Sequence, residues 1–336
     1  MKILVIGCGS IGSRHAANAA RRAEVAVVDT SPGRARACAG ALGACWFETI
    51  DDGLRWRPDG VVVATPHSTH LAIAMCAIDA GADVLIEKPI SHTETGLCAF
   101  LGAVQRCGRR AYVACNMRFH PGPATLKKHL QEIGKPLFAR AHVGNYLPAM
   151  RPGVDYRQLY AAKRAEGGGV VLDAIHEIDY LTWLFGPIVA VACQADRLSE
   201  LEIDTEDHAM VTLRHACGTF CTAELDYLRK FKSRGCEVIG DAGVMVWQSD
   251  GKAPERCVVR MYRDSVRAWQ TLAETLDVDT ALPYARMMDE FISAISDTHS
   301  ATLLGADTAA QELRTALTAL RSAAGDGRQL TMPLHA

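Results

Sequence analysis

The chain has 336 residues, more than one hydrophobic core usually supports, so two domains are the prior expectation. Lys plus Arg number 36 against 38 Asp plus Glu, and no charged run breaks that balance, which argues against a nucleic-acid or membrane-surface binder. No apolar stretch approaches the roughly 20 residues needed to span a bilayer. The short apolar start lacks a basic leader and a cleavage site, so it reads as a strand of a soluble protein.

That strand, Met1 to Ile6, runs into Gly7-Cys8-Gly9-Ser10-Ile11-Gly12. The spacing suits a chain that turns tightly off a strand, brings backbone close to a pyrophosphate and packs a helix on the sheet; Gly7, Gly9 and Gly12 meet those needs in turn. A helix starting near Ser10 directs its unpaired amides and positive dipole end at phosphate. Asp29 closes the next apolar run, 17 residues beyond Gly12. A carboxylate there accepts hydrogen bonds from ribose hydroxyls and repels a 2′-phosphate, which favours NAD over NADP, with Arg34 tempering the preference. The expected elements are a helix near 11–22, a strand near 24–29, a helix near 32–41, and strands near 60–64, 82–87 and 111–115. Their runs of Val, Ile, Leu and Ala are continuous rather than alternating, as in a doubly wound parallel sheet covered on both faces.

Two segments of this first domain, 1–120, carry further chemistry. Ala64-Thr65-Pro66-His67-Ser68-Thr69-His70 is a small-residue turn at the sheet edge where ligands bind. Its two histidines read as a cap and a packing contact rather than a metal pair. Val84-Leu85-Ile86-Glu87-Lys88-Pro89 delivers a lysine at a strand's carboxyl end. Buried unpaired, Lys88 would cost several kcal/mol; it either pairs with Glu87 or faces cofactor and substrate, and its location favours the latter.

After about residue 120 the pattern alternates. Ala209, Val211 and Leu213 share one strand face, and so do Cys221, Ala223 and Leu225. The second domain, 121–336, is therefore expected to be α+β, with an open, mostly antiparallel sheet and helices near 170–186 and 283–322. The uncovered face suggests a partner subunit, in a homodimer or homotetramer. Twelve scattered cysteines without a C-x-x-C pair read as small buried hydrophobes in a reducing cytoplasm, and no metal site is expected.

A helix beginning near Val170, after three glycines, stacks Asp173, His176 and Tyr180 on one face. A histidine beside a carboxylate is suited to act as general base toward an alcohol, and equally to cap a loop. The stretch from Tyr146 to Glu166 holds Arg151, Tyr156, Arg157, Tyr160, Lys163 and Arg164, either a clasp for a polar or anionic ligand or a solvated loop.

Together, the glycine turn, Ala64-Thr65-Pro66 with His70, Glu87-Lys88-Pro89, Arg118 in Asn116-Met117-Arg118-Phe119, the Asp173 and His176 segment and Asp326-Gly327-Arg328-Gln329-Leu330 resemble the Gfo/Idh/MocA family over nearly the whole chain. The resemblance implies a Rossmann domain followed by an open-sheet domain, and NAD(P)-dependent hydride transfer on sugars, cyclitols or acidic sugar derivatives. It also implies that Gly7, Gly9, Ser10, Ile11, Gly12, Asp29, Thr65, Pro66, His70, Glu87 and Lys88 hold the cofactor. Lys88 then contacts cofactor and reacting hydroxyl, His176 moves its proton, and Asp173 orients the pair. Arg118, Tyr156 and Lys163 join these three around the substrate. Asp173 precedes His176 by three residues where many members have four. Two alternatives stay open: a nucleotide-dependent sensor of the same fold, and an enzyme using held NAD for transient oxidation.

Overall fold

The computed structural model describes residues 1–251, 255–296 and 302–333. Along the first third, β1 (Lys2–Ile6), α1 (Ser10–Ala19), β2 (Glu24–Val28), α2 (Pro32–Leu42), β3 (Cys45–Phe47), α3 (Ile50–Arg55) and β4 (Gly60–Val63) alternate. The series continues with α4 (His70–Asp79), β5 (Asp83–Ile86), α5 (Leu97–Arg106) and β6 (Ala111–Val113). The strands are parallel in the order β6-β5-β4-β1-β2-β3. Ile3, Leu4 and Val5 are fully buried, as are Val61, Val62 and Val63, so the continuous apolar runs reflect cover on both faces. The chain builds outward from β1 to β3 and then returns to β4 on the other side of β1. The switch point therefore lies just beyond Ile6 and Val63, whose strands pair directly, and a doubly wound sheet binds its ligand at such a crevice.

The alternating sequence that follows forms a second sheet. Here α6 (Pro121–His129), β7 (Pro136–Gly144), α7 (Val170–Asp173), α8 (Ile175–Phe185), β8 (Ile188–Asp196), β9 (His208–His215) and β10 (Phe220–Asp226) precede a meander. The meander is β11 (Ser233–Gly240), β12 (Gly243–Ser249), β13 (Glu255–Arg263) and β14 (Ala268–Val278). The order is β14-β13-β12-β11-β7-β10-β9-β8, antiparallel except where β7 and β10 run side by side. Leu213 opposes Cys221, Val211 opposes Ala223 and Ala209 opposes Leu225, all fully buried, so the inferred face is real. Helix α8 packs on that side, against β7 and β10. On the other face Phe138 and Phe220 stack at 6.1 Å, and at the edge Trp269 is 52% exposed.

The remaining elements are α9 (Leu282–Ser296), β15 (Leu304–Gly305), α10 (Ala306–Ala324) and β16 (Leu330–Thr331). They correct the expected division at several points. The stretch near 283–322 is two helices, and Ala281–Leu313 belongs to the same compact unit as Met1–Phe119; His120–Thr280 and Arg314–Ala336 form the other. The reason is packing. Met287, Met288, Phe291 and Ile292 form one apolar stripe of α9 and share a core with Ile3, Val5, Val25 and Val27. Strand β15 then joins β6 antiparallel as a seventh strand. Of the run Asp326-Gly327-Arg328-Gln329-Leu330 only Leu330 enters a strand, Leu330–Thr331 paired with β8, because Asp326 and Gly327 take positive φ and turn the chain. Among the described residues no helix is long and apolar enough to cross a membrane.

Because Phe291 is fully buried in this shared core, Phe291→Ala should lower the unfolding free energy by about 3–5 kcal/mol, measured by denaturant titration. A loss near zero would place α9 outside the core of the first unit.

Candidate dinucleotide and catalytic site

Gly7 has φ of +99°, and a Cβ there would sit 2.3 Å from the Ala64 carbonyl oxygen. A Cβ on Gly12 would sit 1.8 Å from the carbonyl oxygen of Gly7. Only glycine fits either place. Gly9 differs: a Cβ there meets nothing within 4 Å, so its backbone faces open space at the start of α1. No side chain caps that helix start and no acidic residue stands in its first turn. A phosphate suits this arrangement, which joins open glycine backbone to a helix end with uncapped amides.

The Asp29 carboxylate closes the turn from the other side. Its Oδ2 accepts the Cys8 amide at 2.7 Å, and its Oδ1 accepts the Ser31 amide at 2.7 Å. The Arg34 guanidinium also donates to Oδ1, from Nε at 3.1 Å and Nη2 at 2.9 Å. Burial pushes the carboxyl up, but the bonds from Arg34 and the two amides outweigh it and hold Asp29 below the usual carboxylate range.

At the end of β4, the ring nitrogens of buried His70 lie 2.9 Å from the carbonyl oxygens of Thr65 and Pro89. One imidazole thus ties the turn after β4 to the loop after β5, and its burial disfavours the charged ring. The rings of His67 and His70 meet edge to face at 5.5 Å. Glu87 was expected to hold cofactor, but its carboxylate is engaged elsewhere: Oε1 lies 2.7 Å from His15 Nε2, and Oε2 accepts the Lys88 amide at 3.1 Å. Sequence reasoning missed His15, although Gly12, His15, Ala16 and Ala19 carry the spacing of one buried helix face. Lys88 itself is half-buried and joined to Pro89 by a cis peptide.

Arg118 was expected at the substrate. It is 6% exposed, donates to the Thr302 carbonyl at 3.3 Å and lies 3.7 Å from the buried carboxylate of Glu312. These partners engage it inside the first unit, because a buried guanidinium needs such acceptors, and this placement gives no support to a substrate contact.

In the second unit, the single helix expected from Val170 is broken at Ala174 (φ −91°, ψ 26°). Asp173 therefore ends α7 while His176 is the second residue of α8, and one helical face does not carry both. The Asp173 Oδ1 accepts the Tyr160 hydroxyl at 2.5 Å. Burial pushes the Tyr227 phenol well up, and the neighbouring Asp173 adds to it. Gly168 and Gly169 make this loop feasible. A Cβ on Gly168 would meet the Tyr160 carbonyl oxygen at 2.3 Å, and one on Gly169 would meet the Glu206 carboxylate at 2.3 Å. Tyr160 stood out in the sequence only as part of the cationic loop, and Tyr227 and Glu206 had no sequence signal of their own, since each matters only through where the loop lands. His176 is 9% exposed.

The cationic loop proves largely self-satisfied. Arg157 pairs with Asp155 and Glu202, Lys163 with Glu166 at 3.0 Å, and Arg164 donates to Asp204. The Tyr156 hydroxyl accepts the Glu202 amide at 3.1 Å. Tyr156 and Lys163, expected at the substrate, thus each have a partner within the protein.

Known proteins match both units. Residues 1–114 fit the model of an oxidoreductase family with an NAD-binding Rossmann fold, and residues 124–246 fit a GFO/IDH/MocA C-terminal domain. Inositol 2-dehydrogenase 4 of Saccharopolyspora erythraea is 30% identical over 67% of this chain and 66% of that protein. Inositol 2-dehydrogenase of Acidothermus cellulolyticus is 29% identical over 94% of this chain and 93% of that protein. A crystal structure of a putative myo-inositol dehydrogenase from Sinorhizobium meliloti superposes with a TM-score of 0.80 at 25% identity, covering 99% of this chain and 100% of that one.

Glu87, whose side chain is 14% exposed, provides a pH test. Burial raises its carboxyl, but the His15 hydrogen bond, the His15 charge and Lys88 outweigh this and hold it below the ordinary range. A depressed carboxylate contributes stability above its unfolded value, near pH 4.3, and loses it as pH falls through the lower folded value. The melting temperature of Glu87→Gln should therefore fall clearly short of wild type at neutral pH and converge on it below about pH 4. A difference that grew with acid would contradict the assignment.

Proposed function

Because this chain belongs to the Gfo/Idh/MocA family of oxidoreductases, we propose that it transfers hydride between NAD and a hydroxyl- or ketone-bearing ring carbon of a cyclitol, sugar or sugar derivative. One observation carries the reading at the level of this chain: the glycine turn leaves open backbone at Gly9 beside an ionised Asp29 at the switch point of a parallel sheet. The relatives named for inositol oxidation support the cyclitol as the first substrate class to test.

When bound, the nicotinamide supplies the hydride acceptor or donor. The chain's part is proton control and orientation. Lys88 donates to the reacting oxygen and stabilises its developing negative charge. His176 accepts or returns the hydroxyl proton as general base or acid. Asp173, held by Tyr160, orients these groups. Gly7, Gly9, Ser10, Ile11 and Gly12 form the phosphate cradle, with Thr65, Pro66 and His70 bordering it, and Asp29 favours NAD over NADP by repelling a 2′-phosphate.

We further infer a homodimer or homotetramer formed through the open face of the second sheet. There Phe138 and Phe220 stack and Arg214 lies over the Phe220 ring, a mixed apolar and charged surface suited to a second copy. A reducing, cytoplasmic setting is in keeping with twelve free cysteines, of which seven are the expected buried hydrophobes while Cys45, Cys76, Cys98, Cys107 and Cys217 are exposed.

Lys88→Ala and His176→Ala should each lower turnover by at least about a hundredfold while leaving NAD affinity largely intact. Turnover is read from reduced-nicotinamide absorbance with myo-inositol and a panel of neutral and acidic sugars, after a thermal-shift screen with NAD present has selected the binders. Near-normal rates in either variant would remove that residue from the mechanism. A panel that raised the melting temperature without any absorbance change would favour a sensor.

A further inference from the structure

Glu177 follows His176 in the first turn of α8, and its side chain is fully buried. Its two oxygens accept two hydrogen bonds from one guanidinium, Arg234 Nε to Oε1 at 2.7 Å and Nη2 to Oε2 at 3.0 Å. Arg234 stands on β11 opposite Val143 of β7, on the face that buries Cys236 and Val238, and its own side chain is 13% exposed. Burial works against the guanidinium charge, and Glu177 more than offsets it. Glu255, a second buried carboxylate in this region, is engaged by His120 at 3.1 Å and by the Ser249 hydroxyl. A two-pronged buried ion pair thus ties the residue after His176 to the sheet.

We propose that Glu177 and Arg234 are positioning residues for His176: by clamping both oxygens of Glu177, the pair fixes the rotation of the first turn of α8 and with it the direction of the imidazole. Three physical points support this. The start of α8 has no side-chain cap, and the chain before it is broken at Ala174, so continuity with α7 does not set the rotation of the helix. Neighbouring residues diverge by about 100° around a helix axis, so a Glu177 held against the sheet directs His176 off that face. Two parallel hydrogen bonds fix direction as well as distance, which one contact does not. Misplacing a reacting group by roughly 1 Å costs on the order of a hundredfold in rate, so small rotations of this turn matter. The proposal rests on the reading of His176 as general acid or base.

Two changes to the full chain separate positioning from stability. Arg234→Lys keeps the charge but loses the fork geometry. Glu177→Met combined with Arg234→Met replaces the pair by apolar side chains, an exchange that buried ion pairs often tolerate without loss of stability. Each is made in wild type and in His176→Ala, and kcat, KM, NAD affinity and melting temperature are measured with myo-inositol or the panel sugar that turns over. In wild type both changes should lower kcat by at least about tenfold, with KM and NAD affinity within about twofold and the doubly apolar chain melting close to wild type. In His176→Ala the same changes should alter kcat by less than about twofold, because groups that act as a unit are not additive. Wild-type kcat in the doubly apolar chain, or an equal loss with and without His176, would overturn the proposal and leave the pair a purely structural tie. Should the doubly apolar chain not fold, Arg234→Lys decides by the same comparison. A near-normal rate in His176→Ala alone would instead sink the general-base reading, and the proposal with it.

Discussion

The carbonyl oxygen of Gly7 lies 1.8 Å from where a side chain on residue 12 would begin, and the remainder of the first unit is arranged around that contact. It lets α1 pack directly on the turn that precedes it. The Gly7 amide meets the Val28 carbonyl at 2.8 Å and the Ala64 amide meets the Ile6 carbonyl at 2.8 Å, so three neighbouring strands end together. A methyl group at either glycine would push helix and sheet apart, and the open backbone of Gly9 would lose the frame that presents it.

A small buried polar network extends this frame to the lysine. His15 on α1 joins Glu87 at the end of β5, Glu87 accepts the Lys88 amide, and His70 links Thr65 to Pro89. The backbone carrying Lys88 is thereby held from α1 on one side and from the β4 turn on the other. Buried polar groups are costly unless satisfied, so these contacts define one arrangement rather than many. The motifs around Gly7, Thr65 and Glu87, far apart in the chain, act as one mechanical piece.

The second unit uses glycine for a different end. Close approach at Gly168 and Gly169 folds the Tyr146 to Glu166 loop back onto the start of α7, and this brings the Tyr160 hydroxyl to Asp173. The break at Ala174 separates the two short helical pieces, so Asp173 answers to the loop as well as to its own helix. The loop's cations answer mainly to Asp155, Glu166, Glu202 and Asp204. Of the two readings that the composition left open, ligand clasp or solvated loop, the structure shows, among the described residues, these pairings and no ligand-specific arrangement.

Local spacing was enough for the features that depend on neighbours in the chain. Continuous apolar runs announced the parallel strands, alternation at Ala209 to Leu213 and Cys221 to Leu225 announced the one-sided sheet, and the glycine spacing announced the tight turn from β1 into α1. Such patterns report which side of an element is buried. They carry no information about what buries it, and tertiary structure alone decided the rest. The apolar stripe of α9 promised burial somewhere, yet only packing shows that Phe291 lies with Ile3 and Val5 rather than in the second sheet's core. In the same way, a charged side chain announces a need for a partner but not its identity. Arg118 found Glu312, Glu87 found His15 and Arg34 found Asp29 because the fold brought those atoms within hydrogen-bonding or ion-pairing range.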